Sequence, residues 1–113
     1  EIYSSDLTIP EDKFIDTPEF QHLLTYKKLT PLLLKKIRKK EQIEESVLKT
    51  YQASNPSLYY VYEVIGDYYE AMQQSKQAIA YWQQALKKSI PKLQEKERIQ
   101  QKIQKQSKDG KES

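Results

Sequence analysis

The residue that most restricts what this chain can fold into is Gly66. It stands inside "YEVIGDYYEAMQQSKQAIAYWQQAL" (62–86), an apolar, aromatic-rich run at helical spacing, and the only other glycine is Gly110. A glycine in a helix interior costs roughly 1 kcal/mol relative to alanine. That cost is offset if a second helix comes so close that a β-carbon would hold the two backbones apart. Two helices fit the run. In the first, Tyr62, Ile65 and Tyr69 share a stripe with Gly66. In the second, Ile79, Trp82 and Leu86 line up with small Ala78 and Ala85 between them. Burying each large side chain is worth roughly 1.5–3 kcal/mol, enough to outweigh the glycine. Gly66 and Ala78 are therefore expected where the helices cross.

The rest of the chain reads as helix too. "TPE" at 17–19 is a helix start, with Thr17 as cap and Pro18 in the first turn. "LTP" at 29–31 repeats that pattern, so either one helix kinks there or two meet. Helical intervals return at 42–53 (Ile43, Val47, Leu48, Tyr51), 57–72, 76–89 and 92–105, where only Leu93, Ile99 and Ile103 are large and apolar. Residues 1–16 show no period and read as an extended linker, with Ile9-Pro10 and Phe14 as candidates to dock on the body. Residues 106–113, "QSKDGKES", read as a disordered tail.

Composition narrows the class. Two glycines and five prolines in 113 residues argue against a turn-rich β fold. No cysteine is present, which removes disulfides, zinc thiolates and thiol nucleophiles and suits an oxidising compartment, with a bacterial periplasm or cell envelope favoured. Usage heavy in Lys, Ile, Tyr and Gln points to a bacterial chain. No stretch approaches the roughly 20 apolar residues of a membrane span. The first residue is Glu1, so the chain is expected to be a piece of a longer protein or a processed product.

The net charge of +3 hides alternating blocks: −5 over residues 1–20, +5 over 21–54, −3 over 55–74 and +6 over 75–113. Alternation of this kind suggests matching between neighbouring elements more than one polyanion-binding face. The basic runs at 35–40 and 87–105 have no interleaved aromatics for base stacking, so no nucleic acid is expected as partner.

Tyr62, Ile65, Gly66, Tyr69, Ala78, Trp82, Ala85 and Pro91 together resemble the tetratricopeptide repeat, two antiparallel helices in about 34 residues. Tyr62 stands where the pattern prefers Trp, Ile65 where it prefers Leu, Trp82 where it prefers Phe, and Pro91 comes one residue late. The resemblance covers 56–91. It implies an all-α fold of antiparallel helical hairpins in a right-handed array: irregular helices over 17–55 (with 25–58 a degenerate repeat), the regular hairpin at 56–91, and a capping helix at 92–105, in a single domain over 17–105. It also implies a groove face on the first helix of the hairpin, carrying Tyr60, Glu63, Asp67 and Glu70. The three acids stack at spacings of four and three. That face suits a basic segment, from another protein or peptide, from a neighbouring domain of the parent chain, from a second copy, or from the chain's own helix around Lys92–Lys102.

A second resemblance rests on "TIPEDKF" (8–14), "NPSLYYVYEVIGDYY" (55–69) and "AIAYWQQALKKSI" (78–90). These strings look like a helical extension C-terminal to bacterial enzymes similar to the acyl-CoA:6-aminopenicillanate acyltransferase family of N-terminal-nucleophile hydrolases. That family's nucleophile is a cysteine, absent here, so the resemblance implies an appended helical module with catalysis elsewhere in the parent chain. The residues themselves offer no reaction chemistry. The single histidine, His22, has only Glu19 nearby, and no nucleophile set, phosphate loop or metal motif appears. The expectation is a non-catalytic interaction or scaffold module with no cofactor and no metal.

Overall fold

The computed structural model describes residues 17–112, with side chains described through Ser107. The expected linker at 1–16 lies outside the described residues. Five helices follow in order: α1 (Pro18–Arg38), α2 (Glu45–Ser54), α3 (Tyr59–Ala71), α4 (Ser75–Leu86) and α5 (Leu93–Glu112). No strand occurs among the described residues, so the all-α reading holds.

α1 begins as its sequence requires. The Thr17 hydroxyl oxygen accepts a hydrogen bond from the Phe20 backbone N–H at 3.2 Å, and Pro18 fills the first helical position. The same pattern at 29–31 does not start a new helix. α1 runs through Pro31 as one 21-residue element. Thr30 is no cap: its hydroxyl donates to the Tyr26 carbonyl at 2.7 Å and lies 2.8 Å from the Tyr51 hydroxyl of α2. The contact with Tyr51 ties α1 to α2. The rings of Tyr26 and Tyr51 stack at 5.7 Å in the same contact.

α1 and α3 terminate identically. Lys40 (φ 57°) and Gln73 (φ 60°) are the left-handed residues just past each helix. At the first end, Lys40 N–H donates to Ile37 and Glu41 N–H to Lys36. At the second, Gln73 N–H donates to Glu70 and Gln74 N–H to Tyr69. This paired closure satisfies carbonyls of the last turn that would otherwise lack donors. A β-carbon is strained in that conformation, whereas glycine is not. Lys40→Gly and Gln73→Gly are each expected to stabilise the fold by about 0.5–1 kcal/mol, read as a higher urea midpoint with unchanged slope.

The core lies between α3 and α4 and spreads to both sides. Trp82, Ala78 and Ala85 of α4 and Val61, Ile65 and Val64 of α3 are buried, joined by Leu33, Leu48, Tyr51 and Ile99. The helices cross at Gly66, as expected. A β-carbon there would stand 2.5 Å from Cδ1 and Nε1 of Trp82 and 3.1 Å from the Ala78 carbonyl oxygen.

Some core assignments change. Ile79 and Leu86 are only partly buried, packed against the core. Tyr69 is only partly buried, stacked on Tyr81 at 5.5 Å, and Tyr68 takes the interior position. The cause is the loop before α2. The Tyr68 hydroxyl accepts from the Ile43 N–H at 3.0 Å and lies 3.3 Å from the Ile43 carbonyl, closing a backbone segment outside regular structure. A buried backbone pair needs such partners, and a tyrosine reaches them while filling space. Tyr62 is buried as expected, with its hydroxyl donating to the Pro56 carbonyl at 2.7 Å and Lys88 above its ring. Pro91 is exposed in the link between α4 and α5.

The last helix outruns its expected length. α5 continues to Glu112, through most of the stretch that reads as a disordered tail. Lys, Gln and Glu are good helix formers, and no proline follows Pro91 to stop the helix.

Candidate functional site

The face of α3 expected to line a groove is occupied by the chain's own α5. Glu63, Asp67 and Glu70 lie along one side of α3, and α5 lays Arg98, Lys102 and Gln106 beside them. The two helices run in the same direction, each α3 acid meeting a residue 35 or 36 positions later in the chain.

Glu63 is the centre. Its side chain is only 2% exposed. Arg98 grips it with both arms of the guanidinium, Nε donating to Oε2 at 2.8 Å and Nη2 to Oε1 at 2.7 Å. Lys102 Nζ adds a third bond to Oε2 at 2.7 Å. The same ammonium reaches both Asp67 oxygens at 3.0 and 3.1 Å. Trp82 then ties the cluster to the core, its indole N–H lying 3.1 Å from Asp67 Oδ1 and 3.3 Å from the Glu63 carbonyl. At the far end Gln106 donates to Glu70 Oε2 at 3.1 Å and accepts from the Ser75 hydroxyl at 2.9 Å. No buried side-chain nitrogen or oxygen among the described residues lacks a partner.

These contacts set the charges. Burial pushes the Glu63 carboxyl up, but the hydrogen bonds and charges of Arg98 and Lys102 outweigh it and hold the group below the usual glutamate range. Asp67 goes the other way: burial raises it, and Lys102 only partly offsets this. For Lys102, burial acts downward, and the two carboxylates prevail and raise it. The linkage has opposite signs at the two acids. The depressed Glu63 contributes stability that is present above the ordinary value of 4.5 and lost as pH falls through its folded value. The raised Asp67 favours the fold at low pH and loses that contribution as pH rises through its folded value. Glu63→Gln is therefore expected to lower stability at pH 7 and to narrow its gap to the wild type below pH 4.5, measured by urea unfolding across the acid range.

Tyr60 stands at the head of the same face. Burial raises its hydroxyl pKa, and the Glu63, Tyr26 and Asp67 groups add to the shift while Arg98 opposes it. All four predicted groove residues thus share one face. Of the sources expected for a basic segment, the one that meets Glu63 is the chain's own α5. Arg98 and Gln106 are the contributors the sequence reading did not single out. Their signal was present: Arg98, Lys102 and Gln106 recur at helical spacing 35 or 36 residues after Glu63, Asp67 and Glu70.

A groove of about 540 Å³ stays open at the ends of α1 and α3. Ile37, Lys40, Glu70, Ala71, Gln73 and Gln106 line it, together with the inner pair Asp67 and Lys102. His22 is exposed, and no three of His, Asp and Glu converge as metal ligands among the described residues. No helix is long and apolar enough to cross a membrane among the described residues. Comparison with protein-family models, curated proteins and solved structures finds no match to this chain.

Proposed function

We propose that this chain is a non-catalytic protein-interaction module, built as a short tetratricopeptide-like array that α5 caps, and that it receives a protein segment in the groove at the ends of α1 and α3. The observation that carries the reading is the matched closure of these two helices. Lys40 and Gln73, 33 residues apart, hold the same left-handed cap and line the same groove. Buried Leu48 and Tyr51 of α2 stand 34 residues before buried Trp82 and Ala85 of α4. A period of that size is the mark of stacked helical hairpins, whose first helices line one shared surface.

The capping role of α5 is supported by its outer face. Lys96, Glu97, Gln100, Gln101, Gln104 and Lys105 are exposed, while Ile99 alone is fully buried. A wet outer face ends an array by leaving no apolar surface for a further repeat.

Lys40 and Gln73 are both exposed, so changing them leaves the core intact. Affinity capture from a lysate of the source organism, with wild type and a Lys40→Glu, Gln73→Arg variant side by side, tests the groove. A specific protein enriched by wild type should fall at least tenfold with the variant, whose circular dichroism should be unchanged. Equal capture by both would sink the assignment of the groove.

A further inference from the structure

We propose that α5 is an exchangeable element: in a pair of copies, each α5 seats on the Glu63–Asp67–Glu70 strip of the other copy's α3. The reading goes beyond the groove function and does not depend on it.

The occupant follows from complementarity. The strip accepts a helix that presents Arg, Lys and Gln at successive turns, with an isoleucine beside them, and α5 supplies Arg98, Lys102, Gln106 and Ile99 in that register. A second copy of α5 carries the same groups. Exchange therefore remakes every bond that opening breaks, and Glu63 does not stay buried without a cation.

α5 packs along α4, and its contact with α3 is polar. Ile99 is buried and Ile103 packs against the core only in part, whereas Leu93 at the start of the helix is 68% exposed. Hydrogen bonds and ion pairs can be traded between copies one for one, and the packing of α5 on α4 is remade in the same way on the other copy's α4.

The link sets the path. Residues 87–92 join α4 to α5, and Pro91 prevents the two from merging. Its ring clashes with the carbonyl of residue 87 in a continuous helix, and residue 90 is turned away from helical geometry. Removing the proline allows one long helix over α4 and α5. That helix carries its C-terminal half away from its own α3 and leaves the strip open to another copy.

Two experiments decide the proposal. The first mixes two full-length variants, one Glu63→Lys, Asp67→Lys and the other Arg98→Glu, Lys102→Glu. Each alone sets like charges face to face. In an exchanged pair both strips meet a helix of opposite charge, so native mass spectrometry should show a one-to-one heterodimer that neither variant forms with itself. The second is Pro91→Ala, which leaves strip and helix untouched and stays informative if the charge variants fold poorly. Sedimentation should show its dimer fraction raised at least tenfold over wild type at equal concentration. A heterodimer in the mixture, or dimeric Pro91→Ala that reverts when Arg98→Glu, Lys102→Glu is added to it, supports the exchange. Absence of the heterodimer together with a monomeric Pro91→Ala up to millimolar concentration overturns it.

Discussion

Gly66→Ala is expected to destabilise the protein by roughly 2 kcal/mol, against the ordinary gain of about 1 kcal/mol for such a change in a helix. The reason is geometric. The new methyl would lie 2.5 Å from two atoms of the Trp82 indole and 3.1 Å from a backbone oxygen. Trp82 has no exposed surface and cannot swing aside, and its N–H is engaged with Asp67 and the Glu63 carbonyl. The helices must separate, and the contacts between them are the densest part of the core. In a domain of this size the loss corresponds to a fall in Tm of roughly 8–16 °C. Trp82→Phe replaces the indole by a smaller ring that can shift away from the methyl, at the cost of those hydrogen bonds. The double variant should therefore be less destabilised than the two single losses added together, by about 1 kcal/mol or more. A higher Tm for Gly66→Ala, or strict additivity with Trp82→Phe, would remove the close crossing from the account of this fold.

The second large effect concerns Glu63. Arg98→Met with Lys102→Met leaves a carboxylate at 2% exposure with no cation beside it. Loss of the partners of a buried charge costs about 3–5 kcal/mol, and burial, no longer opposed, should push the remaining carboxyl's pKa up. The direct cost at the cations is smaller, because Arg98 is close to half exposed. Adding Glu63→Leu to the pair should restore most of the lost stability, since an apolar triplet of similar volume needs no desolvation of charge. Chemical unfolding of the double and triple variants measures both quantities. If the double variant is as stable as wild type, the cluster is a surface feature and not part of what holds α5 in place.

Much of the architecture could be read from residues near one another in sequence. Thr17 and Pro18 start α1 because a cap needs only the next turn of chain. The spacing of Gly66, Ala78, Trp82 and Ala85 foretold the α3–α4 hairpin, because a close crossing demands small residues at fixed offsets on two adjacent helices. The same logic left Pro31 open between one helix and two. The sequence contains the break but not the Thr30 contact with Tyr51, 21 residues away, that holds this part of α1 against α2. It failed at Tyr68 and Tyr69, neighbours of equal polarity and size. Which of the two turned inward depended on the loop at Ile43, 25 residues earlier, needing a partner for its backbone.

The acidic face marks the same division. Spacings of four and three are a property of one helix, so the sequence determined that Glu63, Asp67 and Glu70 share a side of α3. Charge complementarity, however, names a sign and not a source: a foreign peptide, a second copy or α5 would satisfy it equally. Tertiary packing decided among them when α4 and the 87–92 link returned α5 alongside α3, placing Arg98 and Lys102 within hydrogen-bond reach of Glu63. Buried charge tolerates no vacancy, so the nearest matching helix took the place.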